Sequence, residues 1–159
     1  MKTARYLALA VLAAAVVAAS ATAAPKKSIT VSGTYTGTAS TKVDGSTATI
    51  AANGSGSLTL LGASKLVGNG TGDSSQQPCV PFAGTGTITG PGGVITYKVP
   101  TGANGCGDEG GHVFAIKGMF QVVKATGKLA KAKGSIRFSG TYNHDDGSFS
   151  VKLTGSLTK

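Results

Sequence analysis

"SITVSGTYTGT", residues 28–38, alternates without a break. Ile29, Val31, Gly33, Tyr35 and Gly37 fall on one side of an extended chain, and Thr30, Ser32, Thr34, Thr36 and Thr38 on the other. Successive side chains of a strand point to opposite faces. The spacing therefore predicts a strand with one buried face and one hydroxyl-lined face.

The same pattern returns along the chain. Phe82, Gly84, Gly86 and Ile88 make one inward stripe, and Phe114, Ile116, Gly118, Phe120 and Val122 another. Ile136, Phe138, Gly140 and Tyr142 make the next, and Phe149, Val151, Leu153, Gly155 and Leu157 the last. Turn chemistry separates them at Asp44-Gly45, Asn53-Gly54, Pro91-Gly92-Gly93 and Asp146-Gly147. Between Asn53 and Gly72 the alternation weakens and allows one or two strands, so the expected total is eight or nine. Residues 128–133 favour a helix, but Gly127 and Gly134 bracket six residues, less than two turns. They read as a lysine-decorated loop.

Glycines sit on the inward stripes beside large residues. A glycine inside a strand loses packing, but it suits a tightly coiled sheet or a small barrel that needs room opposite a ring. The fold expected is all-β, an antiparallel eight- or nine-stranded β-barrel. The alternative is an immunoglobulin-type β-sandwich. Against it, tryptophan is absent and the 28-residue span from Cys79 to Cys106 is short for an inter-sheet bridge.

Upstream, Lys2 and Arg5 precede fourteen apolar residues, 6–19, and Ser20-Ala21-Thr22-Ala23 follows. This is the layout of a cleavable secretory signal. Fourteen helical residues span about 21 Å, short of a hydrocarbon core of about 30 Å, so a membrane anchor is not expected. The organisation read from the sequence is a signal at 1–23, a short tail at 24–27 and one barrel domain at 28–159. Cleavage would lower the net charge from +9 to +7 by removing Lys2 and Arg5. An even pair of cysteines in an exported chain predicts a Cys79–Cys106 disulfide.

The stretch "KGMFQVVKATGKLAKAKGSIRFSGTYNHDDGSFSVKLTGSLT", residues 117–158, resembles the closing hairpins of bacterial secreted proteins with an allene oxide cyclase-like or dirigent-like barrel. The matching pieces are G-x-F-x-V at 118–122, T-G-x-L-x-x-A-x-G at 126–134, F-x-G-x-Y at 138–142, the D-G turn at 146–147 and F-x-V-x-L-x-G at 149–155. The resemblance implies an eight-stranded antiparallel barrel and, with the alanine-rich leader, a bacterial source. Plant members isomerise or cyclise lipid-derived intermediates or steer radical coupling. None of their functional residues maps onto this chain, so none is carried over.

Two clusters hold the chain's histidines. Asn143-His144-Asp145-Asp146 lies between two strongly alternating strands, where asparagine, aspartate and glycine make a hairpin tip; it reads as a turn. Cys106-Gly107-Asp108-Glu109-Gly110-Gly111-His112 lies in a glycine-rich loop that the disulfide would pin. A ligand site is expected at the barrel mouth near Tyr97 and His112, with Asp108 and Glu109 beside it. No metal, cofactor or catalytic set is assigned. The chain holds no G-x-S-x-G, H-E-x-x-H or C-x-x-C motif.

Lys124, Lys128, Lys131, Lys133 and Arg137 form a basic run with no acid between them. Such a patch suits an anionic cell-envelope polymer or lipid headgroups. Nucleic acid is not expected, because base-stacking aromatics are not interleaved. Three functions are therefore expected in descending order: a non-catalytic barrel binding a small apolar molecule or an anionic surface, an isomerase or cyclase on the same barrel, and a structural envelope protein. A mostly apolar cavity would favour the first, a convergent polar pocket the second, and a filled interior the third.

Overall fold

The computed structural model describes residues 26–159. The expected signal at 1–23, with the first two residues of the tail, lies outside the described residues. Eight strands follow in order: β1 (Ser28–Asp44), β2 (Thr47–Leu58), β3 (Gly62–Asp73), β4 (Cys79–Gly90), β5 (Gly93–Gly107), β6 (Val113–Ala125), β7 (Lys133–Asn143) and β8 (Ser148–Thr158). Each pairs antiparallel with the next and β8 returns to β1, which closes the barrel. Closure leaves no strand edge unpaired, and the sandwich alternative is thereby overturned.

β1 is the longest strand because it serves two neighbours at an offset. Its residues 33–44 pair with β2 and its residues 28–38 pair with β8. That stagger is the shear a closed barrel requires. The stripes read from alternation are the inward faces. On β1 both Val31 and Tyr35 are fully buried, and on β8 Leu153 and Leu157 are almost wholly so.

Two expectations need correction. Asn53-Gly54 is no turn: both residues lie within β2, paired with Val67 and Leu66. The turn falls instead at residues 59–61, which fixes the count at eight strands. Residues 128–133 are more than a decorated loop. Leu129 and Ala132 turn into the barrel and are 0% and 3% exposed, while the lysines between and around them stay outside. Hydrogen bonds from Thr126 N to Val94 O (2.9 Å) and from Lys128 N to Gly92 O (2.8 Å) hold this plug on the β4–β5 turn. Gly127 has φ +61° and a Cβ there would strike Gly92 O, so glycine is required.

The plug divides the barrel lengthwise. At the plugged end Leu58, Leu61, Ile88, Ile95, Leu129, Ile136 and Leu157 are at most 2% exposed. Tyr35 reaches into this core, and its hydroxyl is satisfied by Ser64 Oγ at 2.5 Å. The other end carries the connections at residues 45–46, 74–78, 108–112 and 144–147. There Cys79 and Cys106 face each other across the β4–β5 ladder and form the expected disulfide. It closes the β4–β5 hairpin at its open side.

Candidate functional site

The inward positions change character along the barrel. Towards the plugged end they are large aliphatics. Towards the other end, β1 to β3 present Ala39, Ala48, Ala52 and Gly70, while aromatic rings stand on β4 and on β6 to β8. Small residues facing rings leave space between them. The result is an apolar cavity of about 500 Å³ that opens at the unplugged end. Small-molecule sites commonly measure roughly 300–1,000 Å³.

Inward glycines do two separate things here. Some seat a ring against the wall: a Cβ on Gly54 would lie 2.7 Å from Phe149 Cζ, and one on Gly118 would lie 2.6 Å from Phe138 Cζ. Gly68 and Gly86 make way for the Tyr97 ring in the same manner. Others, such as Gly70 and Gly84, bring neighbouring backbones together and line the cavity itself.

Tyr97 and Phe120 form the floor, with ring centroids 4.5 Å apart. The Tyr97 hydroxyl donates to Val67 O at 3.3 Å. Burial, and then the neighbouring Tyr35 phenol, push its pKa up to about 12. The mouth is made by Phe114, Tyr142 and His144, three rings at mutual centroid distances of 6.2–6.3 Å. Tyr142 Oη lies 3.2 Å from Thr41 Oγ1, tying β7 to β1 across the barrel. Polar groups along the cavity are few: Thr41, Asn69, Ser74, Gln77, Thr85, Tyr97, Tyr142 and His144.

The four residues expected to form the mouth are not brought together. Tyr97 lies four residues from the plugged end of β5, at the bottom of the cavity. Asp108, Glu109 and His112 lie outside the cavity wall on the β5–β6 connection. Asp108 Oδ1 accepts the His112 N–H at 2.8 Å, and such backbone hydrogen bonds hold its carboxyl below the usual range. Glu109 is exposed. His112 instead meets the other histidine cluster: Nδ1 stands 2.9 Å from Asp145 Oδ2. Hydrogen bonding to Asp145, reinforced by its charge, raises the imidazole pKa. His144 N donates to His112 O at 2.7 Å, so the two loops are tied backbone to backbone as well.

Residues 144–146 form the expected turn. The same turn also presents His144 to the cavity, which the hairpin reading missed because it treated the tip as solvent-facing throughout. Among the described residues, no three His, Cys, Asp or Glu side chains gather as a metal-ligand set. Lys124, Lys128, Lys131, Lys133 and Arg137 occupy the plugged end and the adjoining outer wall, away from the mouth.

No family model, no curated protein and no solved structure matches the chain.

Proposed function

We propose that this protein is a non-catalytic binding barrel that carries a small apolar molecule in its open half. One observation supports this above the rest: a barrel packed solid at one end holds about 500 Å³ of ring- and alkyl-lined space at the other. Burial of apolar ligand surface supplies affinity at about 25 cal/mol per Å² before the costs of association. The cavity's polar groups are mostly amides and hydroxyls, suited to orienting a ligand. The Cys79–Cys106 disulfide fits an oxidising compartment, which accords with the secretory reading of residues 1–23. The likeness of residues 117–158 to allene oxide cyclase-like barrels accords with the architecture and brings no functional residue with it.

The test uses the neutral fluorescent dye N-phenylnaphthylamine together with native mass spectrometry of protein recovered without denaturation. Dye binding lost in Ala52→Phe, whose ring would fill the cavity, supports the reading. An unchanged dye affinity in a folded Ala52→Phe barrel overturns it.

A second contact is supported by the plugged end and its adjoining wall, which carry the exposed residues Lys124, Lys128, Lys131, Lys133 and Arg137. That charge suits an anionic envelope polymer. Retention on such a polymer should fall steeply with salt, and salt-independent retention refutes it.

A further inference from the structure

The chain has six carboxylates, and all six stand at the cavity end of the barrel. Asp44 borders the β1–β2 turn and Asp73 the β3–β4 connection; Asp108 and Glu109 lie in the β5–β6 connection, and Asp145 and Asp146 in the β7–β8 turn. Every connection at that end thus contains or directly adjoins at least one acid. Residues 59–61, 91–92 and 126–132, which join strands at the plugged end, carry none. Of the described lysines and arginines, Lys42 alone lies within four residues of the cavity-end connections, with Lys117 and Lys152 five residues away; within the rim itself His112 pairs with Asp145, which leaves five acids without a basic partner there.

Turn chemistry does not explain this segregation. Asp73 and Asp146 do accept backbone N–H groups two residues on, from Ser75 and Ser148. Yet Asn143 does the same for Asp145 without a charge, so the turns need an acceptor and not an anion. The plugged-end connections manage with no acid at all. The basic residues of that end lie a strand away, about 35 Å for eleven residues, against a screening length of about 8 Å at physiological salt. The mouth therefore has a local negative potential although the whole chain is basic, and the low-dielectric wall of the cavity concentrates it.

An independent feature of the same mouth points to the same chemistry. Phe114, Tyr142 and His144 form a three-ring cluster that lines the entrance. The faces of phenylalanine and tyrosine attract an organic cation within about 6 Å of the ring centre, so Phe114 and Tyr142, 6.3 Å apart, supply the attraction and His144 only walls the site.

We propose that the ligand is a cationic amphiphile, with its apolar body in the cavity and an ammonium-type head held at the mouth by the aromatic cluster under the carboxylate rim. This rests on the cavity being a ligand site and adds the class of ligand. An apolar molecule with an anionic head fits the cavity equally well but meets the wrong sign of charge at its entrance.

The experiment compares three probes with one ten-carbon tail, decyltrimethylammonium, decanol and decanoate, each displacing N-phenylnaphthylamine from the full mature chain below micellar concentrations. At low salt the ammonium should bind roughly tenfold tighter than the alcohol and roughly a hundredfold tighter than the carboxylate. The preference should shrink between about 20 mM and about 500 mM salt. It should shrink also in the triple variant Asp44→Asn, Asp73→Asn, Asp146→Asn, which keeps the turn acceptors and removes three charges. Decanoate binding as tightly as the ammonium, or a preference indifferent to both salt and the triple variant, overturns the cationic ligand while leaving the cavity reading intact. Displacement by none of the three overturns both.

Discussion

Leu129→Ala removes the side chain that plugs the barrel. Leu129 is 0% exposed and lies between two lysines and an alanine in a loop that looks soluble from its composition. The loss of three carbons from a buried site costs about 2.4 kcal/mol in transfer at about 0.8 kcal/mol per methylene. The void left behind adds about 24 cal/mol per Å³ of unrelaxed volume. The plug is hydrogen-bonded to the β4–β5 turn through Thr126 and Lys128, which limits how far it can collapse. A total of about 3–4 kcal/mol follows, within the measured spread for buried leucine truncation. With a urea slope of about 1.5 kcal/mol/M, the unfolding midpoint should fall by about 2 M. Lys128→Ala in the same loop is the control, and a surface change of that kind should stay within about 0.5 kcal/mol. Urea denaturation followed by far-UV circular dichroism measures both. If Leu129→Ala costs less than about 1 kcal/mol, or no more than Lys128→Ala, the loop is decoration and the barrel has no plug.

Tyr97 should ionise late. Its folded pKa of about 12 lies above its ordinary value near 10, so the unfolded chain loses that proton first. The associated stability is complete below pH 10 and declines between pH 10 and pH 12, by about 1.4 kcal/mol per pH unit. A pH series of urea midpoints should show this slope in the parent and a shallower one in Tyr97→Phe; identical slopes refute the burial argument. Replacing Cys79 and Cys106 together by serine should cost about 3.5 kcal/mol on the loop-entropy account, read as a midpoint shift that reducing agent reproduces in the parent. By NMR titration His112 should show a midpoint above 6.5 because Asp145 holds its proton, and Asp145→Asn should lower it. The loop-to-loop ion pair is present below that raised pKa and lost as pH rises through it. An unmoved midpoint in Asp145→Asn means the pair does not form in solution.

The inward stripes were legible because a two-residue period leaves little choice: once Val31 and Tyr35 face the interior, Gly33 between them does too. The disulfide was legible from two cysteines in a chain whose residues 1–23 read as an export signal. Asn53-Gly54 misled because the dipeptide that makes a tight hairpin also serves where a glycine must admit a ring, here Phe149 from a strand nearly a hundred residues away. Leu129 misled because its neighbours are lysines, and what a lone leucine touches is not written next to it. Tyr97 and His112 looked like companions at one rim because they lie on one strand-and-loop stretch. The strand between them runs most of the barrel's length and puts one at the floor and the other outside.

The sequence by itself determined the class of structure, the inward and outward faces, and the isolation of the six acids from the basic run, since these follow from local period and order. Tertiary structure alone decided that the inward glycines both seat rings and leave a cavity, that the acids share one end, and that His112 meets Asp145. Each depends on closing the sheet. Closure sets which residues thirty to a hundred positions apart face one another, and a chain read in order carries that information only as the sum of eight registers.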